Sequence, residues 1–105
     1  MARKNAVRVT PSTGNVFRDL GFSREESEHL LVRADLLIQV QKRITSKRLT
    51  QAEAAKMLRV TQPRVSDLLR GRIDLFSTDT LIDMLASLGI GVRLVLRPSK
   101  PKRVA

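Results

Sequence analysis

Between Ser23 and Gly89 the apolar residues recur at spacings of three and four, in runs separated by short polar joints. Leu30, Leu31, Ala34, Leu37, Ile38 and Ile44 form the first and longest run, with Glu25, Glu28, Arg33, Lys42 and Arg43 between them. One helix is expected there. It starts at Ser23 and Glu26, whose spacing lets hydroxyl and carboxylate each satisfy a backbone donor, and it ends near Ser46 to Arg48. Thr50 opens a second helix that runs through Leu58, and Thr61 opens a third, with Pro63 in the first turn where its missing N–H costs nothing. Arg70-Gly71-Arg72 closes the third. Ser77 or Thr78 caps a last helix whose Leu81, Ile82, Leu85 and Leu88 form a core face, and Gly89 stops it.

After Gly89 the period changes to two, with Val92, Leu94 and Leu96 alternating with Arg93, Val95 and Arg97 before Pro98. This predicts one strand. A lone strand leaves both edges open, and the simplest partner is the same strand of a second copy, antiparallel about a two-fold axis; a different protein, or Val7 to Val9, is the other choice. Val92, Leu94 and Leu96 are thus the candidate dimer strand. Residues 1–15 show no sustained period and read as a flexible basic arm, 16–98 as the folded domain with its dimerisation strand, and 99–105 as a basic tail.

Charge changes this picture more than composition does. The 105 residues suit a single domain, but a net charge of +10 gives it a field that attracts polyanions, nucleic acid first. No apolar run reaches membrane-spanning length and no secretory leader is visible, so a cytoplasmic, nucleoid-associated protein without a membrane partner is expected. Cysteine is absent and His29 stands alone in a polar stretch, which leaves no expected metal site or cofactor. Catalysis is not expected either. There is no Gly-rich phosphate loop and no nucleophile pairing, and Asp79 is explained by the helix start on which it sits.

The stretch that decides the reading is TQAEAAKMLRVTQPRVSDLLRG, Thr50 to Gly71. Two helices joined steeply by a tight turn present the second to the DNA major groove. Ala55 falls at the tight contact between them, Arg59 to Thr61 at the turn, and Val65 and Leu68 on the buried side of the second helix. Gln62, Pro63, Arg64, Ser66 and Asp67 then form the candidate base-reading set, because Gln pairs with adenine, Arg with guanine, and Asp accepts from the cytosine amino group. Asp67 lies three residues after Arg64, so an ion pair between them is an alternative to a base contact. Thr50, Gln51, Thr61, Arg70 and Arg72 are suited to phosphates.

Thr-Gln-x-x-x-Ala-x-x-Leu-x-Val-Thr-Gln-x-x-Val-Ser-x-Leu, Thr50 to Leu68, resembles the helix-turn-helix of the Cro and phage-repressor (XRE) family. The fold class implied is mainly α, a five-helix-type helix-turn-helix domain with one C-terminal β-strand paired across a dimer. More narrowly, NVFRDLGFS, ADLLIQVQKRI, the run from Thr50 to Gly89 and VRLVLRP are similar to small proteins of the HigA antitoxin type, over roughly Asn15 to Pro98. That resemblance implies a homodimer that binds its own near-palindromic double-stranded operator, represses transcription, and captures a RelE/HigB-like ribonuclease toxin. Arg59 departs from the pattern, standing where many members carry glycine, so the turn requires either a left-handed arginine or another geometry. Two rivals differ in class: a phage-repressor-like regulator with no toxin, and a general RNA- or nucleoid-binding protein. Phe17, Phe22 and Phe76 are the only aromatic residues, too few for a base-stacking platform.

Overall fold

The computed structural model describes residues 6–9, 17, 20–96 and 98. Among them are β1 (Ala6–Val9), α1 (Arg24–Ser46), α2 (Gln51–Leu58), α3 (Gln62–Leu69), a 3₁₀ turn (Ile73–Leu75), α4 (Thr78–Ser87) and β2 (Gly91–Leu94). Among the described residues, then, the complete elements are four α-helices and one 3₁₀ turn, and the expected fifth full helix is not among them. The 3₁₀ turn is three residues long, too short for a complete α-helical hydrogen-bond pattern.

The helix starts follow the local chemistry of the sequence. Ser23 Oγ accepts from the Glu26 N–H at 3.1 Å while the Glu26 carboxylate accepts from the Ser23 N–H at 3.1 Å, the reciprocal pair expected from their spacing. Ser77, rather than Thr78, caps α4, accepting from the Thr80 N–H at 3.1 Å. These four described helices also stop alike, through one paired hydrogen-bond motif that recovers two of the last carbonyls. The Arg48 and Leu49 N–H groups donate to Thr45 and Ile44 after α1, and those of Arg59 and Val60 to Lys56 and Ala55 after α2. Gly71 and Arg72 do the same to Leu68 and Asp67, and Gly89 and Ile90 to Ala86 and Leu85. The motif needs a left-handed residue, and Arg48, Arg59, Gly71 and Gly89 all have φ between +55° and +84°.

One core holds the helices together. Leu36, Leu37, Val40 and Ile44 of α1 meet Ala54, Ala55 and Leu58 of α2, Val65 and Leu68 of α3, and Phe76, Leu81, Met84, Leu85, Leu88 and Ile90 around α4. The face of α1 differs from the one expected. Leu36 and Val40 are fully buried, whereas Ile38 is 43% exposed and Leu30 and Ala34 are only half-buried. At about 100° per residue, Ser27 and Leu31 lie on the side of α1 opposite Leu36 and Val40, and both are buried outside the main core. The helix therefore buries one side near its start and the other near its end.

β2 is shorter than expected and differently paired. It ends at Leu94, and Leu96, placed in the expected dimer strand, lies beyond it and is 89% exposed. Its neighbour is β1 of the same chain, parallel, with Ala6 opposite Gly91 and Val9 opposite Leu94. Val7 to Val9 thus supply the pairing that the sequence left open, and they lie within the stretch expected as a flexible arm. The two strands pair over four residues each. The expected arm otherwise lies outside the described residues, as do Arg97 and the expected tail from 99 onward.

Candidate nucleic-acid interface

α2 and α3 are each eight residues long and are separated by Arg59, Val60 and Thr61. Ala55 is 7% exposed in the core between them, where a larger side chain would force the helices apart. Arg59 closes α2 with φ 60° and ψ 44°, so the turn is made with a left-handed arginine. Thr50 caps α2 and Thr61 caps α3, with Thr61 Oγ1 accepting from the Arg64 N–H at 3.4 Å. Gln51, Ala52 and Gln62, the first residues of the two helices with a free backbone N–H, are exposed.

The underside of α3 is fixed by fully buried Val65 and Leu68. Its last turn is held by Gln41, whose side-chain amide donates to the Leu68 carbonyl at 2.8 Å. The same carbonyl also accepts from the Gly71 N–H at 3.1 Å, so Gln41 adds a second donor from α1 to the capped end of α3. Sequence reasoning missed Gln41, because a polar residue in the middle of a long helix carries no sign of the carbonyl it will meet. Gln62 and Pro63 are exposed at the leading end of α3, and Ser66 and Asp67 are half-buried along it.

Arg64 is not left free. Its Nη1 donates to the Leu75 carbonyl at 2.9 Å, and its guanidinium carbon lies 4.2 Å from the centre of the Phe76 ring. Cation–π attraction and a hydrogen bond together hold the group in one place. Of its five N–H donors, one is used in that bond, which leaves the rest of the planar fork for a further acceptor. The alternative partner for Asp67 also changes. Its carboxylate pairs with Arg70 at 3.1 Å rather than with Arg64, which is occupied at Leu75 and Phe76. Arg72 lies 3.8 Å from the Asp74 carboxylate. His29 is exposed beside an open cavity of about 400 Å³, shared with Arg33, Asp74 and Phe76, whose mixed charges favour no single ion.

The charges are sorted along the chain. Residues 41–72 hold nine arginines and lysines against Glu53 and Asp67, whereas residues 73–91 hold three aspartates and no basic side chain. α1 spans both environments, with Glu25, Glu26 and Glu28 at its start and Lys42 and Arg43 near its end. The excess lies at the end of α1, in Lys42 and Arg43, and in the joints, in Lys47, Arg48, Arg59, Arg70 and Arg72, while α2 and α3 each carry one basic and one acidic side chain.

The profile of a family described as a helix-turn-helix domain matches residues 16–97. A solved structure described as a candidate XRE-family transcriptional regulator superposes with a TM-score of 0.66 at 31% sequence identity. The match covers 76% of this chain and 90% of that one. The chain belongs to the XRE-type helix-turn-helix family. No curated protein matches it at a significant level. Within the helix-turn-helix, α2 is the first helix and α3 the second. The site expected from Gln62, Pro63, Arg64, Ser66 and Asp67 falls on the latter and its first turn. Thr50 and Gln51 stand at the start of α2, and Arg70 and Arg72 follow α3.

Proposed function

We propose that this helix-turn-helix protein is a sequence-specific DNA-binding transcriptional repressor that acts as a homodimer in the cytoplasm. The observation that carries the reading is α3 itself, a helix anchored from below by Val65, Leu68 and Gln41 that carries Gln62, Pro63 and Arg64 at its leading end. A fixed helix with donors in its first turn suits base-edge readout in the major groove, and the surrounding basic residues suit phosphates. In a dimer, two such helices would occupy major grooves about 34 Å apart on a near-palindromic operator.

Support for the second copy comes from β2. One edge is taken by β1, no described strand lies on the other, and Leu94 is 52% exposed. An open edge with an apolar side chain favours continuation of the sheet into a partner. Deleting Val92 to Arg97 should yield monomers in sedimentation, and an intact dimer would place the interface elsewhere.

The finer reading is the antitoxin of a type II toxin–antitoxin pair that represses its own operon, with a RelE/HigB-like ribonuclease as the captured partner. Its support is the resemblance of the stretches from Asn15 to Pro98, together with the acidic start of α1, which suits a basic RNA-binding cleft. Co-expression with the product of the adjacent gene tests it. Relief of growth arrest is expected, and unrelieved arrest, or an adjacent product without toxicity, would leave a regulator of the phage-repressor kind.

The experiment for DNA binding is selection from random duplexes near physiological salt, where non-specific binding is weak, ~10⁻⁴ to 10⁻⁶ M. An enriched inverted repeat with half-sites about 10 base pairs apart is expected. Binding without any enriched motif would turn the reading toward general nucleic-acid coating.

A further inference from the structure

The four helices end in one motif, but two ends use glycine and two use arginine. Arg48 and Arg59 are the two described non-glycine residues with positive φ, at 55° and 60°. That conformation disfavours side chains with a Cβ, and glycine is its usual occupant. Space does not explain the difference. A Cβ added at Gly89 would meet nothing within 4 Å, and one at Gly71 only the end of Gln41 at 4.0 Å, so the glycine ends are as roomy as the arginine ends. Glycine was thus used where nothing else is required, at Gly71 and Gly89. Arginine stands at the two ends that border α2.

The sequence around the two arginines repeats. Arg48-Leu49-Thr50-Gln51 and Arg59-Val60-Thr61-Gln62 lie eleven positions apart. In each, the arginine is left-handed, the apolar residue is half-buried against the core, and the threonine caps the next helix. The root of each arginine is consequently fixed by hydrogen bonds before and after it, while its side chain is exposed.

Their surroundings separate these arginines from the cations that the sequence singled out. Arg64 is held by Leu75 and Phe76, Arg70 by Asp67, and Arg72 lies beside Asp74. Neither Arg48 nor Arg59 has a hydrogen bond or ion pair through its guanidinium among the described residues. α2 between them is about 12 Å long at 1.5 Å per residue, whereas one DNA strand carries a charge about every 3.4 Å of axis, so the two can reach different phosphates.

We infer that Arg48 and Arg59 are contacts to DNA backbone phosphates, one at each end of α2, kept at left-handed positions because their charge is needed there. This rests on the DNA-binding reading above and extends it to two residues outside the expected phosphate set. The contacts are independent of base sequence, so they set affinity and salt dependence rather than specificity.

The test measures binding of a labelled mixed-sequence duplex by anisotropy between about 50 and 200 mM salt. Each arginine is replaced in turn by Gln, Lys and Gly in the full chain, and the melting temperature of every variant is recorded. Arg48→Gln and Arg59→Gln should each flatten the slope of log affinity against log salt by about 0.9, and the double variant by about 1.8. Lysine, which keeps the charge, should retain the slope. The glycine variants should lose it while melting at the same temperature or higher. Unchanged slopes on a duplex that the wild-type protein binds would overturn this inference alone. Glycine variants that melt lower would also overturn it, by showing that the arginines serve the fold. A wild-type protein without salt-dependent duplex binding would take the DNA-binding reading down as well.

Discussion

α2 and α3 begin with the same two residues, a threonine cap and a glutamine, and part most sharply at their third helical residue. Each is eight residues long. In α2 the third residue is Glu53, whose carboxylate turns back to accept from the Thr50 N–H at 2.8 Å, so the first turn is closed upon itself. In α3 the same position is Arg64, which reaches away to Leu75 and Phe76 and leaves the first turn without an acidic residue. The partial positive charge of the α3 N-terminus is therefore not offset from within. Two helices of one design have been given different tasks. One is completed by its own side chains, and the other is braced from outside with its polar end open.

The largest effect that bears on this comparison concerns what the helices share. Leu68 is fully buried beneath α3, and Leu68→Ala should cost ~2–5 kcal/mol in urea unfolding. A loss far below that range would mean that α3 is held mainly by its polar contacts. Next comes the difference itself. Arg64→Ala should relax base preference by ~1–3 kcal/mol at one base pair in a competition assay against selected DNA. Uniform weakening on all sequences would assign Arg64 to bracing alone. The smallest effect concerns what the two starts have in common, since Thr50→Ala and Thr61→Ala should each cost ~1 kcal/mol of stability. Thr50→Ala should be the larger loss, because its hydrogen bond to the Glu53 N–H is 3.0 Å and belongs to a reciprocal pair, whereas that of Thr61 is 3.4 Å and stands alone. Equal losses would remove the Glu53 carboxylate as a source of the contrast.

The features legible in the sequence were those set within a few residues of chain. Ser23 with Glu26, Thr50, Thr61, Pro63, Gly71 and Gly89 all stand where their local chemistry placed them. The side of α1 that faces the core was not legible, because Leu36-Leu37-Ile38 is a continuous apolar run whose phase depends on α4 and the turn that holds Phe76. Asp67 has arginines three residues before and after it, and sequence offers no ground for choosing. Phe76, distant in the chain, settles the matter by holding Arg64, which leaves Arg70 to Asp67. The pairing of β2 with Val7 to Val9 was in view only as one option among three, since strand partners far apart in sequence leave no local mark.

α1 is 23 residues long and so about 35 Å from end to end, with acidic side chains at its start and basic ones near its finish. Glu25 and Arg43 lie about 27 Å apart along the axis, and whole charges at that separation outweigh the half charges of the helix backbone and give the domain a permanent electric dipole. Near any polyanion such a body experiences a torque before it makes a contact. It would turn its basic end forward during diffusion, so a larger share of encounters would begin with α2 and α3 already facing the charged surface, and that advantage in association rate would fade as salt shortened the reach of the field.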